Sequence, residues 1–191
     1  MMKKLAWVAL LAASLPLIHG CAAAVVGGAA TAVVVADDRR TAGAVVEDQE
    51  IELRSMKRLR EGFPEKTVSV STISYNRQVL LVGQVPDEAT RARVADTVKA
   101  IPGVNKVYNE TAISGVASYT SEANDAAITT KVKARLVNDG NISSNHVKVV
   151  TEAAVVYLMG LVRKEEGELA GKIAASTAGV TRVVKLFEYI D

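Results

Sequence analysis

A stretch of about 65 residues occurs twice in this chain, and a duplication on that scale constrains the fold more than any other feature. Val79-Leu80-Leu81-Val82-Gly83-Gln84-Val85 is matched by Val156-Tyr157-Leu158-Met159-Gly160-Leu161-Val162. A charged, Ala-rich helical pattern follows each run and ends in Gly-Val, at Gly103-Val104 and at Gly179-Val180. The two glycines of a copy are 20 residues apart in the first and 19 in the second. A β-branched run follows, with a basic residue two positions after the valine, Lys106 or Arg182.

Each copy reads α-β-β-α-β, so the fold class is α+β with two such modules in tandem. In the first, Ile51, Ser55 and Leu59 recur at helical spacing with Met56 beside them, and predict a buried helix face. Strands are predicted over about 67–73 and 79–85, joined by a turn at Tyr75-Asn76-Arg77. Pro86 opens a helix over about 87–100, buried through Val94, Val98 and Ile101 and ended by Gly103. A closing strand is predicted over about 104–113. In the second copy Asn124-Asp125 are residue types that cap a helix, whose apolar stripe is Ile128, Val132 and Leu136. Strands follow near 147–151 and 155–162, a helix over about 164–177 and a strand over about 180–190. Gly83 and Gly160 lie inside strands, where glycine marks a bulge or a close backbone approach. The predicted organisation is residues 1–20 as a signal peptide, 21–46 as a lipidated cysteine and flexible tether, 47–114 and 124–191 as the two modules, and 115–123 as the linker.

The N-terminus carries the export signal. Met-Met-Lys-Lys precedes an apolar run from Leu5 to Ile18, then His19-Gly20-Cys21. Ile18-His19-Gly20-Cys21 resembles the lipobox of bacterial lipoproteins, although His19 is unusual at its position. That resemblance implies acylation of Cys21, and Ala22 in place of an acidic residue implies sorting to the outer membrane. Cys21 is the one cysteine, so no internal disulfide forms. The alternative is an uncleaved span within residues 5–36, where Pro16 and His19 are awkward. The Ala/Val/Gly stretch after Cys21 reads as a tether, or as a small-residue seam for self-association.

Lys3 and Lys4 account for the whole net charge of +2, so the chain beyond the signal peptide is neutral. Neutrality argues against binding nucleic acid through bulk charge. No cofactor, metal or catalytic set is expected. The histidines are His19, which falls in the signal peptide, and His146, which stands alone before a strand, so no Ser-His-Asp arrangement is expected; no Cys/His/Asp/Glu set has metal spacing, and the chain is read as no enzyme.

Helix, two strands with glycine near the end of the second, helix, Gly-Val and a closing strand resemble the BON domain. Two such units behind a lipobox are similar to the dual-BON outer-membrane lipoproteins over about residues 37–191. The matching segments include Asn124-Asp125, Ile128 to Val132, Ser144 to Val149 and Leu158 to Val162. The resemblance implies lipid anchoring facing the periplasm, phospholipid binding, and a role in envelope integrity with the division site as one place of action. The chain departs from its look-alikes at Ala127, where they carry a bulky aromatic, and at Asn141, where they carry an apolar residue.

On the first helix of the second copy, Ala127, Thr130, Ala134 and Val137 lie opposite the apolar stripe. Lys131 and Arg135 border that face on one edge and Lys133 on the other. A weakly apolar face with basic flanks suits an anionic phospholipid such as phosphatidylglycerol. It also fits the ordinary solvated side of an amphipathic helix. On the first module Arg54, Lys57, Arg58 and Arg60 are intermixed with Glu50, Glu52 and Glu61, which predicts a spacer or protein-contact unit. Two functional expectations follow: a phospholipid-binding outer-membrane lipoprotein, or a scaffold for envelope assembly proteins in which lipid is only the anchor.

Overall fold

The structure is a computed structural model that describes residues 38–114 and 119–191. The signal peptide, Cys21, the tether up to residue 37 and the middle of the linker lie outside the described residues. Asp37–Asp191 form one compact unit that contains both copies of the repeat.

The first module begins with α1 (Ala42–Gly62), whose first turn is capped by Thr41 Oγ1 accepting from the Ala44 amide at 3.1 Å. Residues 42–46, expected as tether, are therefore helix. Ala44, Asp48, Ile51, Ser55 and Leu59 form its buried face. Met56, expected beside that face, is 52% exposed because it lies about 100° around the helix from Ser55. Strands β1 (Ser69–Tyr75) and β2 (Gln78–Val85) make an antiparallel hairpin in the register Ser69↔Gln84 to Tyr75↔Gln78. The Asp87 carboxylate caps α2 (Glu88–Lys99) by accepting from the Thr90 amide at 2.7 Å. The predicted last strand is broken into β3 (Lys106–Asn109) and β4 (Ala112–Ile113), both parallel to β2. The break lies at Glu110-Thr111, where Asn109 Oδ1 accepts from the Thr111 hydroxyl at 2.6 Å and Asn109 Nδ2 donates to the Arg91 carbonyl.

The second module repeats the plan with α3 (Tyr119–Asp139), β5 (Val147–Glu152), β6 (Val155–Val162), α4 (Lys164–Ala175) and β7 (Arg182–Tyr189). Strand β6 is central, antiparallel to β5 and parallel to β7. Helix α3 starts at Tyr119, inside the expected linker. Gly83 and Gly160 are both sites of close approach. A Cβ on Gly83 would stand 2.1 Å from the Ser69 carbonyl oxygen, and one on Gly160 would stand 2.2 Å from that of His146.

Three apolar clusters hold the unit together. Val79, Leu81 and Val85 face α1 and α2 with Ile51, Leu59, Val94, Val98 and Ile101. Val156, Leu158 and Val162 face α3 and α4 with Ile128, Val132 and Leu136. The alternate residues of both central strands meet each other: Leu80 and Val82 with Tyr157, Met159 and Leu161, joined by Tyr75 and Leu186. Two sheets therefore pack face to face, with the helices outside. Successive strand residues point to opposite faces, so a strand covered on both sides reads as a continuous apolar run. That is why neither repeat alternates with polar residues. Burying each large side chain here contributes about 1.5–3 kcal/mol, enough to join the modules firmly. Polar pairs rim the seam: Gln84 Nε2 donates to Glu152 Oε1 at 2.8 Å, Asn76 Nδ2 and Gln78 Nε2 donate to Glu188 Oε2 at 2.9 and 3.0 Å, and Lys148 Nζ meets Glu52 Oε1 at 3.0 Å.

Candidate functional site

Helix α3 positions the candidate residues. Its inner face is anchored by Ile128, Val132 and Leu136, each no more than 1% exposed. With that face fixed, helical geometry turns Ala127, Thr130, Lys131, Lys133, Ala134, Arg135 and Val137 outward, and all seven are exposed. Val137, at 61% exposure, supplies the largest apolar surface among them. The Thr130 hydroxyl donates inward to the Ala126 carbonyl at 2.9 Å, which leaves its methyl group on the outside. Asn141 is exposed beyond the helix and bonded to Asp139, so no bulky apolar group stands at either departure from the look-alikes.

The three cations are not equivalent. Arg135 reaches α4: its Nη1 donates to Thr177 Oγ1 and its Nη2 to Ser176 Oγ, both at 3.0 Å. The guanidinium thus sits at the C-terminal end of α4, where the helix dipole favours positive charge. Lys131 and Lys133 form no hydrogen bond or ion pair with the described residues. Lys172 is a further cation, on α4. It is exposed and one turn before Ser176, on the side of α4 that Arg135 contacts. Neither helix alone signals this neighbour, because the α3–α4 contact is tertiary.

The first module's basic residues are occupied differently. Arg54 pairs with Glu50, Lys57 with Glu61 at 4.0 Å and Arg60 with Glu65 at 3.3 Å, while Arg58 donates to the Ala100 carbonyl. Three of the four cations of α1 are therefore neutralised by glutamates, whereas Lys131 and Lys133 of α3 have no carboxylate partner among the described residues.

The other end of α3 is acidic. Glu122 and Asp125 line a groove of about 580 Å³ together with Glu152, Gln84, Thr129 and Thr151. Burial raises the Glu152 pKa; the Gln84 hydrogen bond opposes it, and the charges of Asp125 and Glu122 add to it. Asp125 does not cap α3, as its sequence position suggests. It is buried a full turn inside the helix, and its carboxylate accepts from the Ala153 and Ala154 amides at 2.7 and 2.8 Å. An acidic residue just before an apolar stripe has the same sequence pattern whether it caps the helix or lies within it.

Two αββαβ units, each built on a central strand with a glycine pressed against its hairpin partner, define the class. The BON domain family profile matches residues 47–115 and 124–191, and the chain belongs to that family. It is 37% identical over 175 residues to Outer membrane lipoprotein DolP of Haemophilus influenzae, covering 91% of each chain. It is 28% identical to the 21 kDa hemolysin of Actinobacillus pleuropneumoniae, covering 79% of this chain and 78% of that one. It is also 28% identical to Osmotically-inducible protein Y of Escherichia coli, covering 74% and 72%. These similarities place it among the dual-BON outer-membrane lipoproteins, lipid-anchored and facing the periplasm. Among the described residues no helix is long and apolar enough to cross a membrane.

Proposed function

We propose that this chain is a non-enzymatic lipoprotein that binds anionic phospholipid through α3 of its second module and supports envelope integrity, with the division site as one place of action. The observation that carries this reading is the contrast between the two modules: Arg54, Lys57 and Arg60 of α1 are paired with glutamates and Arg58 donates to a carbonyl, whereas Lys131 and Lys133 are paired with nothing described. Near an anionic bilayer each such cation contributes about 1 kcal/mol. Ala127, Ala134 and Val137 add a shallow apolar face between them. Small residues there suit contact at the headgroup level and not deep insertion. The lipid anchor at Cys21, a further part of the reading, would supply most of the membrane affinity, and α3 the preference for headgroup charge.

NMR titration of residues 37–191 with micelles containing phosphatidylglycerol tests it. Shifts centred on residues 127–137 with anionic micelles, and none with zwitterionic micelles, are expected. Unchanged spectra would move the function to protein partners, with the acyl chains serving only as anchor.

A further inference from the structure

Asp38, Arg39 and Arg40, just ahead of the Thr41 cap of α1, bond to both modules at once. Arg40 serves the first: its Nη1 pairs with the buried Asp48 carboxylate at 3.0 Å, its Nη2 with Asp38 at 2.6 Å, and its guanidinium lies 4.1 Å over the Tyr75 ring. Arg39 serves the second. Its Nη1 and Nη2 form a fork with Glu166 at 2.6 and 2.8 Å, and Nη1 also donates to the Leu161 carbonyl at 2.9 Å. Glu166 is already fixed, because its Oε2 accepts from the Arg163 amide at 2.6 Å and closes the first turn of α4. Leu161 belongs to the apolar seam between the sheets, and Tyr75 joins the same cluster.

We infer that Asp38-Arg39-Arg40 is a clasp that couples the start of the first module to the first turn of α4 in the second, so that the two modules yield as one body. The inference concerns how the chain enters that body and stands whether or not α3 binds lipid. Several observations point the same way. Two successive arginines face different modules, and the Arg39, Arg40 and Glu166 side chains are only 20, 14 and 15% exposed, unlike those of the helix-surface pairs. The bidentate geometry is one that lysine cannot reproduce. Arg39 also holds the Glu166 carboxyl down to about 2, with its hydrogen bond as the largest cause.

Hydrogen exchange measured on the full chain in detergent tests the coupling. In Arg39→Ala, amides of residues 161–168 are expected to exchange at least about tenfold faster, since a hydrogen bond to a charged group is worth more than one decade. In Glu166→Gln, which keeps an oxygen for the Arg163 amide, amides of residues 40–45 are expected to speed up similarly. The double variant is expected to be no faster at either place than the singles. Faster exchange in Arg39→Ala confined to residues 38–45, or effects that multiply in the double variant, would overturn the coupling. Should Arg39→Ala fail to fold, Arg39→Lys keeps the charge and loses the fork. Intermediate exchange at both places supports the clasp, and wild-type exchange at both refutes it.

Discussion

Asp48 and Asp125 are the same residue in two copies of one device: each is a buried helix carboxylate that clamps the two-residue turn of its own hairpin. Asp48 accepts from the Asn76 and Arg77 amides, both at 2.7 Å, and Asp125 from those of Ala153 and Ala154. All four turn residues have positive φ, between 49° and 64°. Such turns match the twist of the strands, but they strain residues other than Gly, Asn and Asp.

The clamp makes a prediction about strain. Asp125→Ala is expected to cost about 2–4 kcal/mol by releasing two charge-assisted bonds. Ala154→Gly is expected to stabilise by about 1 kcal/mol, because glycine adopts positive φ freely. Urea unfolding midpoints measure both. A destabilised Ala154→Gly would mean that the alanine methyl group's contact with the core outweighs its strain.

The glycines of the central strands predict a steric threshold. Gly160→Ala would drive a Cβ into the His146 carbonyl, and a cost of about 3 kcal/mol is expected. Gly62→Ala, with nothing within 4 Å of the added atom, is expected to be neutral or slightly stabilising. Thermal unfolding of the pair distinguishes close approach from a general intolerance of substitution.

The seam predicts cooperativity. Met159 is 1% exposed between the sheets, so Met159→Asp buries an uncompensated charge. Calorimetry is expected to show two separate transitions in this variant where the parent has one. A single transition at lower temperature would mean that each module depends on the other for its own fold.

Two carboxyls predict opposite pH behaviour. Glu166 is held below its ordinary value of 4.5, at about 2, so its contribution is present above pH 4.5 and is lost as pH falls towards 2. Glu152 is raised above 4.5, so its contribution is present below that pH and is lost as pH rises through the shifted value. Glu152→Gln is therefore expected to stabilise at pH 7 and to make no difference in acid. Glu166→Gln is expected to destabilise at pH 7 and to converge on the parent in acid. Stability curves from pH 2 to 8 would show the two variants converging on the parent from opposite sides, and parallel curves would contradict both assignments.

The lipid reading predicts a division of labour among the cations. Lys131→Ala with Lys133→Ala is expected to weaken binding of residues 37–191 to phosphatidylglycerol vesicles about thirtyfold, at about 1 kcal/mol per cation. Melting temperature should not change. Arg135→Ala is expected to lower the melting temperature more than the affinity, because its hydrogen bonds run to Ser176 and Thr177. Vesicle binding that is indifferent to both lysines would favour the scaffold reading.

Much of this architecture is legible before folding. The αββαβ order, the stripes Ile51/Ser55/Leu59 and Ile128/Val132/Leu136, and the close approach at Gly83 and Gly160 follow from periods of 3.6 and 2 and from backbone sterics, which are local properties. The exposed face of α3 was also readable, since fixing its buried stripe fixes its opposite. Three things required the tertiary structure. The partner of each sheet's second face did, because the runs Val79–Val82 and Val156–Leu161 announce burial on both sides and do not say against what. The role of Asp125 did, because a carboxylate cannot show from its own helix that it will meet a turn 28 residues away. The separation of Arg135 from Lys131 and Lys133 did as well, because hydrogen bonds from α3 to the end of α4 depend on packing two helices that the sequence lists far apart. Local pattern determines which side of an element is buried; only the assembled chain decides what that side, and the charges at its margins, will touch.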